Sequence, residues 1–413
     1  MAFGLNRMNK YTKEIGLSDR ILILKYLLFG GIVFSPMSSF ITMDIFRFPI
    51  SLPEVLFILF LPFCRKEFHF NTLQRKQTWI TVLAWLSLIA IAFIVGKYLP
   101  YAILSTARSY LYLILFYLLF CKENNISVDT VYYICIGAFS GWLIDAFISF
   151  KTYTLAGNGA AVSYGPMLCI PIIIGVQILK GKYKSLFLMF LFSALLMVLS
   201  GMRRQMLITI ASFLVTFTYE AFRNKTNLIK ISIGTLFISL IVTLNFPFIE
   251  ETIKSYSGEL YFRVITKTEL FLQGEENEGD NIRRELIHKY IDNMGSYIIP
   301  QGFVSKQTAT DHDTGNFNDL PMLEVSQTLS LWGALLLILY FIYTAYRCYI
   351  LTRKGYYEET TLIFPLSFVI ILILLFLEGS FLTFPYAVPF TGYCLGNLHR
   401  YAGIRLVTKK TYR

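Results

Sequence analysis

Charge is the scarcest commodity in this chain. Asp, Glu, Lys and Arg make up only 15% of its 413 residues, against 55% hydrophobic residues and a mean hydropathy of +0.57. That is too little polar side chain to cover a water-soluble fold of this length. Histidine is rarer still, with four residues. The six cysteines (Cys64, Cys121, Cys135, Cys169, Cys348 and Cys394) all fall in apolar runs or at their ends. This pattern implies neither a disulfide framework nor a thiolate metal site. No internal repeat is visible, so the inverted halves common among secondary transporters find no support.

What the chain has in abundance is apolar runs of about 17 to 25 residues, each long enough to cross roughly 30 Å of hydrocarbon as a helix. The expected fold is an all-α integral membrane protein of about twelve transmembrane helices. The approximate spans are 21–43, 49–64, 78–96, 99–120, 128–150, 161–179, 185–201, 203–222, 228–249, 323–346, 361–378 and 383–399. Three regions follow: an N-terminal transmembrane bundle of about nine helices over 1–249, a polar loop over 250–322, and about three further helices with a basic tail over 323–413. The first run exceeds twenty residues and lacks a small-x-small cleavage site, so it reads as a retained helix and not as a signal peptide.

Basic residues near helix ends stay in the cytoplasm. One set of connections carries Arg7, Lys10, Lys13 and Arg20, then Arg65, Lys66, Arg75 and Lys76, then Lys180, Lys182 and Lys184, then Arg223, Lys225 and Lys230. Arg347, Arg353, Lys354 and the tail residues Arg400, Arg405, Lys409, Lys410 and Arg413 continue the series. Both termini are therefore expected in the cytoplasm, with the large loop outside. The net charge of +11 is spread over every cytoplasmic turn, which fits topology and anionic lipid and not a nucleic-acid partner.

Between Glu250 and Glu324 the chain places fourteen of its 26 acidic residues, with seven basic ones. Segment 251–272 has apolar residues at roughly helical spacing, Gln273–Asp280 is an acidic break, and Asn281–Met294 reads as a short amphipathic helix closed by Gly295, Pro300 and Gly302. Such a helix could lie along the membrane surface with Ile282, Leu286 and Ile287 toward lipid or core and Arg283 and Arg284 toward a cavity.

The candidate residues each carry two readings. Arg203 and Arg204 follow Ser200-Gly201-Met202 in a short outer turn, against the positive-inside trend. They either snorkel to headgroup phosphates or form an anion site, for which the arginine fork is suited. Arg283 and Arg284 repeat that choice on the loop, as a solvated face or a phosphate clamp, and Arg263 is less informative. His312, within Asp311-His312-Asp313, and His288 are the two outer candidates for a proton acceptor at neutral pH, His69 and His399 lying on the cytoplasmic side. The Asp-His-Asp run is not expected to hold a metal, because the enzymes that use such carboxylates bring a soluble nucleotide-binding domain. Arg108 and Asp145, near the outer ends of two spans, form either a structural pair or part of a substrate cavity; Glu54 and Glu378 are similar unknowns.

Leu199-Ser200-Gly201-Met202-Arg203, Asn281-Ile282-Arg283-Arg284 with Gly302-Phe303, the Arg284 to Gly295 spacing, and His312 to Gly333 with Asn316, Asn318, Leu320 and Leu323 together resemble the O-antigen polymerase and O-antigen ligase superfamily. Met202 and Arg204 depart from the small residues frequent there, and the smaller outer loop 151–160 holds no second Arg and Gly copy. The resemblance implies transfer of a growing glycan from polyprenyl pyrophosphate to a hydroxyl of an incoming lipid-linked repeat unit, with inversion and with neither metal nor cofactor. It implies that Arg203, Arg204, Arg283 and Arg284 hold the pyrophosphate, that His312 is the base with Asp313 or Glu324 in reserve, and that Arg108, Asp145, Arg263 and His288 belong to the substrate cavity. The partners expected are the lipid-linked donor and acceptor, membrane lipid and a chain-length regulator protein, in a bacterial inner membrane. The alternatives are an O-antigen ligase acting on lipid A core or protein and, further off, a lipid-linked glycan flippase or transporter.

Overall fold

The computed structural model describes residues 17–34, 42–45, 48–51, 76–95, 100–120, 128–155, 166–200, 203–223, 250–255, 258–266, 278–302, 321–353 and 388–402, with a few single positions and pairs between them. Among these residues the chain is helical apart from one hairpin. The longer helices are α1 (Leu17–Val33), α2 (Lys76–Val95), α3 (Pro100–Phe120), α4 (Val128–Leu155), α5 (Pro166–Leu179), α6 (Tyr183–Ser200), α7 (Arg203–Arg223), α8 (Glu278–Asp292), α9 (Pro321–Leu329), α10 (Leu331–Arg353) and α11 (Val388–Ala402). The hairpin pairs β1 (Thr42–Ile45) with β2 (Phe48–Ser51) in antiparallel register, Thr42 opposite Ser51 and Ile45 opposite Phe48.

Small residues let the central helices touch backbone to backbone. A Cβ on Gly30 of α1 would overlap the Ile134 carbonyl of α4, and one on Gly137 would overlap the Leu27 carbonyl in return. Gly392 of α11 also sits close on α3, where a Cβ would lie 2.7 Å from the Leu113 carbonyl oxygen. Glycine at these crossings removes the Cβ that would hold the two backbones apart.

Phe34, just past the end of α1, locks these pairs into one core. Its N–H closes a last helical turn onto the Gly30 carbonyl at 3.0 Å, and its own carbonyl accepts a 2.6 Å hydrogen bond from the Trp142 indole of α4. The Phe34 ring lies 5.7 Å from that of Phe116 and 5.1 Å from those of Phe390 and Tyr393, within the range of favourable aromatic pairing. The C-terminal α11 thus packs on the N-terminal α3, and residues from Phe29 to Leu395 share one apolar core.

The other end of α4 is tied to the α5–α6 turn. Gly181, with φ of 63°, donates to the Ile178 carbonyl, and Lys182 donates to that of Gln177. This left-handed cap satisfies the end of α5. It also brings Lys180 into an ion pair with Asp129 and Lys182 over the Tyr132 ring, 5.2 Å from its centroid.

Three expected spans differ from what is seen. The span 21–43 is helical only to Val33 in the described residues, because Phe34 turns into the core. The span 49–64 begins as strand β2. The span 323–346 is two helices, broken at Ser330. The spans 228–249 and 361–378 lie almost wholly or wholly outside the described residues. Among the described residues one stretch, Val128–Phe147, is long and apolar enough to cross a membrane, and shorter apolar stretches occur in α2, α3, α5, α6, α7 and α10.

Candidate functional site

The densest polar burial near the loop is α9. Pro321 opens this short helix, where the missing N–H costs nothing, and Glu324 stands in its first turn, where a carboxylate is favoured by the helix dipole. Val325 and Leu329 anchor it in the core, yet Glu324, Ser326, Gln327, Thr328 and Ser330 are buried as well. The Ser326 hydroxyl satisfies itself on the Leu323 carbonyl at 2.8 Å. Glu324 and Thr328, one turn apart on the same face, approach Tyr110 of α3, itself 1% exposed.

Ser330 is the break. Its φ is 90°, a left-handed backbone that a residue with a Cβ adopts at a cost. Its carbonyl accepts hydrogen bonds from Gly333 at 3.0 Å and Ala334 at 3.2 Å, starting α10. Its hydroxyl is buried and finds no hydrogen-bond partner among the described residues. Gly333 keeps the corner tight, since a Cβ there would stand 3.1 Å from Leu329 Cβ and 3.4 Å from Leu88 of α2.

The loop is fastened to this corner. The Gln301 N–H donates to the Gln327 carbonyl at 3.0 Å. The rings of Tyr290, on α8, and Tyr297, in the 3-10 turn Met294–Ile298, stack at 4.9 Å and 11°. Leu286 and Leu323 close over them, so α8 docks against the residue next to Glu324. Burial, followed by the neighbouring Tyr290, holds the Tyr297 phenol above its ordinary pKa.

Of the residues singled out in the sequence, Glu324 is the one at the centre of this arrangement. Arg284 and His288 are exposed on α8, one turn apart. Arg283 lies in α8 and Arg263 in the π-helical turn Phe262–Thr266; Arg203 and Arg204 are the first residues of α7. Arg108 is half-buried on α3 and Asp145 is buried on α4, and no ion pair joins the two among the described residues. His312, Asp313, Glu54 and Glu378 lie outside the described residues. Tyr110, Thr328 and Ser330 belong to the site and were not singled out in the sequence. The available signal was the run of polar side chains inside an apolar span. Among the described residues no cluster of His, Cys, Asp or Glu has the make-up of a metal site.

Beneath Tyr110 the same face of α3 continues through Leu113, Ile114 and Tyr117. These line a shallow, half-open apolar cleft with Val82 and Trp85 of α2, Leu337 and Tyr340 of α10 and Leu395 of α11. A buried carboxylate with a phenol and hydroxyls above an apolar cleft can accept a proton from, or orient, the polar head of an amphipathic molecule. No protein-family model, curated protein or solved structure matches the chain.

Proposed function

We propose that this chain is a multi-pass glycosyltransferase of a bacterial inner membrane, a polymerase of polyprenyl-pyrophosphate-linked repeat units. On this reading about twelve helices span the bilayer, both termini are cytoplasmic, and the loop that ends at α9 faces outward. The observation that carries the reading is α9 itself: a buried polar half-helix holding Glu324 against Tyr110, at the exit of the loop that bears Arg283 and Arg284. Exposed apolar rows on α2, α6 and α10, such as Leu83, Leu191 and Leu339, fit a lipid surround.

In this mechanism the arginines Arg203, Arg204, Arg283 and Arg284 neutralise the charge that develops on the departing pyrophosphate, the place where fixed charges accelerate most. Arg203 and Arg204 in the first turn of α7 oppose the helix dipole on their own, and an anion bound between them and the helix N-terminus reverses that penalty. His312, Asp313 or Glu324 takes the acceptor hydroxyl proton. What supports Glu324 as the candidate is its burial in the first turn of α9, near Tyr110.

A transporter is the second reading, favoured by the broken helix, because discontinuous helices form transport sites. Depth speaks against it. α10 has 23 residues, or about 34 Å of helix, enough to cross the hydrocarbon alone. With Arg353 at the inner surface, α9 then sits at the outer boundary and not at the midplane.

The test is to supply purified protein with a synthetic lipid-pyrophosphate repeat unit and resolve the products on a gel. Wild type is expected to give a ladder. Arg203→Ala and Arg284→Ala should each lose on the order of 10²–10³ in rate, and Glu324→Gln and His312→Ala are expected to identify the base, whose loss costs on the order of 10²–10⁴. Single transfer onto lipid A core would make the protein a ligase, and donor movement without product would make it a transporter.

A further inference from the structure

The C-terminal part of α8 and the turn after it carry an apolar strip that no described part of the protein covers. Ile287 is 41% exposed, Ile291 57%, Met294 44%, Ile298 50% and Ile299 65%. Viewed down α8 at about 100° per residue, the residues sort into sectors. Leu286 and Tyr290 point to the core; Ile287 and Ile291 follow beside them. Arg284 and His288 come next, and Glu285 and Asp292 lie on the far side.

We infer that this strip is seated in the acyl chains of the outer leaflet, so that α8 is an interfacial anchor for the loop. The inference rests on the membrane reading above and goes beyond it, since a catalytic loop needs no contact with lipid. Two observations choose lipid over a second protein. The strip is continuous with an apolar face of the bundle, because the 3-10 turn Met294–Ile298 contacts α10, whose upper end exposes Trp332, Leu335 and Leu336. Charge on the described side chains of α8 also fits a bilayer: Arg284 adjoins the strip, where it reaches headgroup phosphates, while Glu285 and Asp292, with Lys289 beside them, lie on other sides of the helix.

The anchor sets the height of Arg284 and His288. Because Leu286 and Tyr290 fasten α8 to Leu323, the bilayer surface, α8 and the start of α9 move as one unit. The phosphates of any lipid-linked anion therefore arrive at the level of Arg284.

The test places an environment-sensitive fluorescent amino acid at Ile291, Asp292 or Leu339, one at a time, in full-length protein reconstituted into vesicles of phosphatidylethanolamine and phosphatidylglycerol with brominated acyl chains. Each protein is first checked for wild-type elution on size exclusion. The probe at Ile291 is expected to be quenched by the brominated lipid and shielded from aqueous iodide, and the probe at Asp292 the reverse. Iodide quenching at Ile291 overturns the anchor, and so does shielding from both quenchers, which would put a protein surface on the strip. Leu339, 51% exposed on α10, separates the two readings: if its probe is open to iodide, the membrane reading itself fails and not merely the anchor.

Discussion

Ser330 holds two penalties in one residue, and replacing it should make the protein more stable and less active. The left-handed backbone costs a residue with a Cβ about 1–2 kcal/mol, and a buried hydroxyl without a partner costs about 1–3 kcal/mol more. Ser330→Ala removes only the hydroxyl and keeps the strain, so a gain of about 1 kcal/mol is expected from the lower end of that range. Ser330→Gly removes both, less about 0.4–1 kcal/mol for the added freedom of the unfolded chain, for a net gain of about 2 kcal/mol. Neither change should lose a helix cap, because the hydroxyl does not cap α10. Glycine, however, frees the corner that fixes Glu324 against Tyr110, and misplacing a reacting group by about 1 Å can cost on the order of 10²-fold in rate. Unfolding by SDS titration in bicelles, beside the repeat-unit ladder assay, reads both quantities. Destabilisation by either variant would refute the reasoning, since the hydroxyl would then be holding the corner together. Full activity in Ser330→Gly would show that the corner does not position the site.

At the α1–α4 contact, Gly137→Ala drives a methyl group into the Leu27 backbone and should cost about 1–3 kcal/mol or more; Gly31→Ala, whose Cβ would stand 3.3 Å from the Gly137 carbonyl oxygen, should cost visibly less in the same titration. Tyr290→Ala removes one ring of the stacked pair and should release α8 from Leu323, read as faster limited proteolysis within α8 with the core helices unaffected. Tyr297 keeps its proton longer in the folded protein than in the unfolded chain, because burial and Tyr290 disfavour the phenolate. Its contribution is therefore complete below the unfolded tyrosine pKa of about 10 and is lost as pH rises through the higher folded value. Proteolysis of α8 should accelerate there, and Tyr297→Phe should abolish that alkaline step.

The helical bundle was legible because most of its spans are long apolar runs, and those at 78–96, 99–120, 128–150, 185–201 and 203–222 correspond to α2, α3, α4, α6 and α7 within a few residues. The amphipathic loop helix was legible from a different signal, periodicity: Leu286, Tyr290 and the isoleucines recur at helical spacing, and α8 differs from the expected 281–294 by about a turn at its start. What periodicity could not convey was where an apolar run stops being one helix. Phe34 ends α1 through contacts with Trp142, Phe116, Phe390 and Tyr393, partners up to several hundred residues away that no local window contains.

The break at Ser330 is the more instructive failure, because Leu329-Ser330-Leu331 has neither the glycine nor the proline that marks a helix end. Averaged hydropathy treated Glu324, Ser326, Gln327, Thr328 and Ser330 as noise among leucines. Physically they are the signal. A helix facing hydrocarbon would leave these groups without water at a cost of kcal/mol each. Five polar side chains within seven positions therefore require protein around them, and Tyr110, Gln301 and the core side chains of α9 supply it. Burying that many polar groups at the mouth of the loop adds nothing that Val or Leu would not give more cheaply. On the proposed reading α9 is kept polar for the lipid-linked substrate, and the left-handed Ser330 is where α9 ends and α10 begins.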